Sequence, residues 1–448
     1  MTVNLTIERL SGVISECLPV AFMFALLLYF RLLGSRQTET RDPIFDKRRI
    51  IEHIEHARSI ADFTAFNARA LEERLELRAK PNARLVRAFD LNNSFTTTSK
   101  DVHARFLKRA RGAIKKGTNG DWQDFGDAVR KALASAEEYF QKEAPYLPLA
   151  CVVRTVSFSL VLRVLFDVEP SEIDVKDARI ATEAINRLWS QSKECGSEPS
   201  PYNKKLLSNA LRRLLPGQYS IEDDELNPLN LIMPAYETLW RVVLLIFVSI
   251  TGRGVDPATS EELRQAIENV PECLNKSDEA ERRALAIAKE GLRLYPPTRR
   301  IHRATLNTDG EEVAAAADVE ACHRYTEIWG PDAHRFLPSR FHDWARKKKD
   351  TDNEPSTGSM VTEVPEYQVL SYFPFGVGKH VCPAATGFGE RLITLLVVEL
   401  ARRFGTSERT GVVHYGKRIS QQCGLGLLPT GRHDMESWVL EVRGEEED

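Results

Sequence analysis

Cysteine is scarce in this chain and never paired. Seven cysteines are spread over 448 residues, at positions 17, 151, 195, 273, 322, 382 and 423. No two stand at ligand spacing, which excludes a disulfide framework and leaves no set of thiolates for a zinc or iron–sulfur site. Free thiols at such spacing suit a reducing compartment. An excess of either charge is also missing. Against 64 Asp and Glu stand 61 Lys and Arg, a net charge of −3, so nothing points to nucleic acid or another polyanion as partner. There is no internal repeat, and hence no solenoid. Nor does the chain begin with the basic start and small-residue cleavage site of a removable signal peptide.

What is there begins with a short apolar run. Leu18–Phe30 is apolar throughout, and reading on through Leu33 lengthens it past Arg31, whose long side chain can snorkel to an interface. Glu8 and Glu16 precede the run, whereas Arg31, Arg36, Arg41, Lys47, Arg48 and Arg49 follow it. A basic excess on the C-terminal side predicts a single signal-anchor helix within residues 1–35, with residues 36–448 on the cytosolic side. Polar clusters mark loops at Asn92–Ser99 and Lys347–Glu363, and the acidic tail Gly444–Asp448 reads as frayed.

The most informative stretch is Phe375-Gly-Val-Gly-Lys-His-Val-Cys-Pro-Ala384. Gly376 and Gly378 allow backbone turns that a Cβ would resist, so the chain can lie flat against a large planar ligand. Pro383 suits the first position of a helix, and Phe388, Leu392, Leu396 and Leu400 form a helical stripe that Gly405 can stop. Cys382 is thereby expected at a helix N-terminus, where unpaired N–H groups stabilise a thiolate. A buried structural cysteine ahead of a core helix would look much the same. One thiolate on an open face, however, is how a haem iron is held for O–O cleavage.

Two further patterns lie upstream. Glu290-Gly-Leu-Arg293 places an acid and a base at i and i+3 on one helix face. Trp329-Gly-Pro-Asp-Ala-His-Arg-Phe-Leu-Pro-Ser-Arg-Phe341 follows it. Alone, the first would be an ordinary surface ion pair.

Together, in this order and with Cys382 lying 92 residues beyond Glu290, the three patterns resemble the cytochrome P-450 family. Phe375, Gly378, His380, Cys382 and Ala384 fit that family's haem-binding loop. Phe336, Pro338, Arg340 and Phe341 fit its Phe-x-Pro-x-Arg-Phe segment, with Ser339 where an acid is common. The resemblance implies a mainly α fold with a small β-rich lobe, a haem with Cys382 as axial ligand, and a buried structural triad of Glu290, Arg293 and Arg340. A planar guanidinium suits such a multiply bonded role.

Leu229–Ile250 is apolar around most of its circumference, as befits a helix through the middle of a large protein. Pro234 inside it frees the carbonyl four residues back and predicts a kink, and the spacing of Glu237 and Arg241 permits an i,i+4 pair. Pro234-Ala-Tyr-Glu-Thr238 resembles the family's distal run, departing from it by Pro-Ala in place of Ala/Gly-Gly. The resemblance implies that Glu237 and Thr238 form an acid–alcohol pair relaying protons to iron-bound dioxygen; a Thr238 hydroxyl bonded to its own i−4 carbonyl is the plainer alternative. For the haem propionates it points to Arg300, Arg303 and His380, with Arg105 and Arg109 on the basic helix Asp101–Lys116 as further candidates. Tyr236, Pro297–Arg299 and Cys423–Leu427 are expected near the haem face. Arg105, Lys108, Arg109, Lys115, Lys116 and Lys379 could form a docking face for an acidic redox partner, or simply a solvated helix face.

The expected activity is that of a microsomal haem-thiolate monooxygenase of secondary metabolism. It would insert one oxygen atom from dioxygen into a small apolar substrate, fed by an NADPH-dependent reductase. Two rivals remain open: a haem-thiolate isomerase or dehydratase that consumes no oxygen, and a non-catalytic haem-binding membrane protein.

Overall fold

The computed structural model describes residues 43–442, apart from 195, 197, 216, 218–225, 252–254, 307–308, 343, 345–365, 407–408 and 415–425. The expected anchor in 1–35, the loop Lys347–Glu363 and the tail Gly444–Asp448 lie outside these residues. The chain divides into a short unit, Met1–Glu52, and a large one, His53–Asp448. A first helix, α1 (Pro43–Ala61), carries an Arg48–Glu52 ion pair at 3.1 Å in its early turns.

The large unit is mainly α. Helices α2 (Leu71–Phe89), α3 (Lys100–Thr118) and α4 (Trp122–Gln141) are followed by a two-residue strand β1 (Leu147–Pro148). Then come α5 (Leu149–Phe166), α6 (Val175–Gln191), α7 (Pro201–Leu214), α8 (Leu229–Thr251), α9 (Pro257–Asn269) and α10 (Glu279–Leu294). Four of them start alike. Asp121, Asp174, Asp256 and Asp278 each cap a helix by accepting a backbone N–H of its first turn, satisfying donors that no carbonyl inside the helix can reach.

Helices α5 and α8 are apolar all round and long enough to cross a membrane, yet most of each is buried inside the protein. They pack on each other in the core, where Phe158 meets Tyr236 edge-on at 5.3 Å. Pro234 lies within α8, which continues through it to Thr251. The carbonyl that this proline frees, on Asn230, accepts instead from the Asn93 amide at 3.0 Å. Helix α10 approaches α8 closely because Gly291 has no side chain. A Cβ there would lie 2.1 Å from Ile246 Cδ1.

The β structure is small. Strands β2 (Arg300–Leu306) and β3 (Glu312–Asp318) form an antiparallel hairpin with Arg300 opposite Asp318. A second sheet, in the order β1-β6-β5-β4, combines β4 (Gly405–Thr406), β5 (Arg409–His414) and β6 (Val439–Val442) with β1. Short helices α11 (Val319–Cys322), α12 (Thr326–Trp329) and α13 (Glu366–Ser371) lead to the cysteine loop. From there α14 (Phe388–Phe404) runs back through the core against α4, α8 and α10, and α15 (Arg432–Glu436) precedes β6.

Candidate active site

The loop Phe375–Cys382 is closed by its own backbone. The Cys382 N–H donates to the Phe375 carbonyl at 2.9 Å, and Gly376 and Gly378 take φ of 75° and 70°. The second glycine is doubly required, since a Cβ on it would lie 2.8 Å from Asp62 Cβ. Cys382 caps a 3₁₀ turn, Pro383–Thr386, and not the long helix itself. Gly387, at φ 94°, separates that turn from α14, so the expected position of Cys382 at the start of the core helix is corrected by one turn. Cys382 is an exposed residue. Surrounding protein mass raises the thiol pKa, while the backbone N–H of Ala384 and the nearby Arg78 lower it.

Around this loop stands a set of cations. Arg78 on α2 approaches His380 Nδ1 at 2.9 Å, and Arg74, one turn earlier, approaches Nε2 at 3.2 Å. A neutral imidazole accepts on one nitrogen only, so one of these contacts sets a donor against a donor. Arg303 lies over the Phe63 ring at 4.3 Å, with its Nε buried and unpartnered. His103 on α3 bonds Ser94, which also accepts from Arg78. Among the described residues, no ion pair joins Arg74, Arg78 or Arg303 to a carboxylate. Burial pulls Arg78 down to about 10, with Cys382 partly opposing it, and burial and then Arg78 pull Arg303 down to about 9. His380 is held down to about 3 by burial and then by Arg78, His103, Arg74 and Arg303. Buried cations without counter-charge are costly. Two carboxylates entering here would neutralise them, which is what haem propionates carry.

Two of the arginines expected at this place are elsewhere. Arg300 is exposed and pairs with Asp318 at 3.1 Å, and Arg105 is exposed on α3. Arg74 and Arg78, absent from the sequence reading, supply the charge in their stead. Their trace in the sequence is faint: two arginines at i,i+4 on a face that also buries Leu75 and Leu77.

The structure brings Glu290, Arg293 and Arg340 together. Glu290 and Arg293 are both fully buried and bonded twice, each time at 2.7 Å. Arg293 also donates to the carbonyls of His323, Ala333 and Arg335. Arg340 stands 3.6 Å from Glu290 and donates to the Trp329 carbonyl at 2.8 Å.

On α8, Glu237 does not pair with Arg241. Arg432, from α15, binds both of its oxygens, and Arg241 instead donates to the Pro297 carbonyl at 2.6 Å. Thr238 donates to the Pro234 carbonyl at 2.9 Å, the plainer of the two arrangements open to it. Tyr236 is buried beside Glu237 with its hydroxyl unpartnered. Of 423–427, residues 426 and 427 are described.

No protein-family model matches the chain. Comparison with characterised proteins finds cytochrome P450 71D8 of Glycine max, 30% identical over 185 residues, 38% of this chain and 33% of that protein. Cytochrome P450 71A12 of Arabidopsis thaliana is 23% identical over 256 residues, 55% of this chain and 48% of that one. Indoleacetaldoxime dehydratase of the same plant is 32% identical over 123 residues, 25% of this chain and 21% of that one. The chain spans less than half the length of each of these relatives. Among solved structures, a six-coordinated cytochrome P450 from Thermus thermophilus aligns with a TM-score of 0.49 at 19% identity, covering 83% of this chain and 90% of that one. With the cysteine loop already in view, the sequence similarities identify the chain as a relative of the cytochromes P450. The cofactor of that class is a haem whose iron takes a cysteine thiolate, and Cys382 is the cysteine that this chain offers.

Proposed function

We propose that the chain is a haem-thiolate monooxygenase, inserting one atom of dioxygen into a small organic substrate with electrons from an NADPH-dependent reductase. One observation carries the reading: the exposed Cys382 lies beside buried arginines that form no ion pair with a carboxylate among the described residues. Cys382 would hold the iron, and Arg74, Arg78, Arg303 and His380 the propionates. A haem bound there supplies dioxygen activation, with the thiolate pushing electron density toward the O–O bond.

The chain's own residues supply the rest. The Ala384 N–H and Arg78 pull the Cys382 thiol pKa down against the larger, opposing effect of burial. Phe375 and Gly378 keep the loop flat, and Glu290, Arg293 and Arg340 hold the scaffold behind it. Glu237 is the acid of the relay, fixed in orientation by Arg432. Thr238 carries the hydroxyl that hands a proton on, and its bond to the Pro234 carbonyl keeps that hydroxyl on the helix. We also assign residues 1–35 to a single membrane anchor of the endoplasmic reticulum, with 36–448 in the cytosol, on the strength of the apolar run and the basic residues after it.

A second reading has specific support. One relative is named as an aldoxime dehydratase, and here the distal run is altered to Pro234-Ala235 while Thr238 is bonded within its own helix. A dehydratase needs neither reductase nor oxygen, and isotope-labelled dioxygen appearing in a product would sink it. The test of the haem-thiolate assignment comes first: the absorption spectrum of the dithionite-reduced, carbon-monoxide-treated protein beside Cys382→Ala. A strongly red-shifted Soret band that the variant loses is the expected result. No haem band in folded wild type would overturn the assignment.

A further inference from the structure

A second group of cations lies farther along α2, on the side of α8 that carries Glu237. Arg84, Lys193 and Arg432 gather round one indole, with their charged centres 4.6, 5.9 and 5.2 Å from the Trp189 ring centroid. Arg84 donates to Ser192 at 2.7 Å. Arg241 enters from α8. Against these four cations stands one carboxylate, Glu237, and among the described residues Arg432 alone forms an ion pair with it. Arg84, Lys193 and Arg241 form no ion pair with a carboxylate among the described residues. Arg432 is nine-tenths buried, and its Nε and that of Arg241 are buried without partners. The crowding registers on the groups themselves. Burial first, then Arg84, Arg432 and Arg241, bring Lys193 down to about 8, with Glu237 opposing. Arg241 falls to about 10, by burial and then by Arg432.

Beyond the excess of cations over carboxylates, two observations suit a ligand here. The surplus adjoins the site along the chain, because Arg84 stands on α2, the helix that carries Arg74 and Arg78. Arg241 also borders a small hollow whose wall combines Val242, Leu245, Tyr295 and Pro297 with the polar Arg299, Glu320 and Thr430, so some apolar surface adjoins the charge.

From this geometry we infer that the substrate carries a carboxylate, which Arg84 and Lys193 bind beside Trp189 while its apolar body extends toward α8. The inference rests on the haem-thiolate reading for calling the ligand a substrate, and it narrows the apolar molecule expected from the sequence to an apolar acid. Guanidinium forks bind carboxylates in two-point fashion, and the preference should be salt-dependent because Lys193 is exposed.

The test compares acids with their neutral esters. The full haem-loaded chain is titrated by calorimetry, and in parallel by the haem absorption shift, with dodecanoate, 3-phenylpropanoate and the methyl ester of each. At least one acid should bind tenfold or more tightly than its ester, and Arg84→Gln/Lys193→Gln should remove that preference while keeping the carbon-monoxide band. Equal binding of acid and ester, no binding of either acid, or a preference that survives in the double variant would overturn the inference. A missing thiolate band with an intact acid preference by calorimetry would count against the haem reading alone.

Discussion

Replacing Glu290 by Gln tests the buried ion pair directly. Arg293 and Glu290 are fully buried, and the five N–H groups of Arg293 meet two carboxylate oxygens and three carbonyls. Glu290 also accepts the Leu337 backbone N–H at 3.0 Å. The substitution keeps the volume but removes the charge and turns one acceptor into a donor. That donor would then face a guanidinium N–H or the Leu337 amide. An uncompensated buried charge costs about 3–5 kcal/mol, a large share of the roughly 5–15 kcal/mol that holds a domain folded. The assay is urea unfolding of wild type and variant followed by far-ultraviolet circular dichroism. Glu261→Gln serves as control: its partner Arg264 is 2.6 Å away but both side chains are about half exposed, so its midpoint should stay at the wild-type value. A loss below about 1 kcal/mol for Glu290→Gln would refute the claim that burial gives this pair its weight.

Other outcomes follow from the same geometry. Gly378→Ala forces a Cβ into left-handed backbone against Asp62, costs about 1–2 kcal/mol, and should lower haem retention on gel filtration. Thr238→Val removes a hydroxyl bonded within its own helix, so stability should change by about 1 kcal/mol or less. On the monooxygenase reading it diverts electrons to hydrogen peroxide, and on the dehydratase reading turnover is unchanged. His323 is buried, accepts the Phe373 N–H, and is held down to about 3 by burial and then by Arg293. An unfolded histidine titrates near 6.5, so between those values the unfolded chain binds the extra proton. The stability from this residue is complete above about pH 6.5 and falls as the pH drops toward 3, by about 2 kcal/mol at pH 5. His323→Gln should flatten that part of the stability–pH curve, and an unchanged curve would show that the ring protonates in place.

Glu290, Arg293, Arg340, Phe375 and Cys382 were legible in the sequence because each motif is contiguous, or nearly so, and its chemistry depends on neighbours along the chain. Part of the helical architecture was legible for the same reason: the stripe from Phe388 to Leu400 and the all-apolar α8 are local patterns. The partner of Glu237 was not. An i,i+4 rule nominates Arg241, but α15 delivers Arg432 from 195 residues away, and a buried carboxylate is claimed by whichever cation the packing brings to it. Nor could spacing alone assign the arginines around Cys382. Arg74 and Arg78 differ from the many surface arginines only in that α2 turns them inward, whereas Arg300 meets Asp318 across the hairpin. Sequence by itself determined the class of fold and nominated Cys382 and the residues Glu290, Arg293 and Arg340, since the motifs that carry the resemblance are short segments. Only the tertiary structure decided which cations are buried, and how many lack a counter-charge, because a charge imbalance belongs to a volume and not to a stretch of chain.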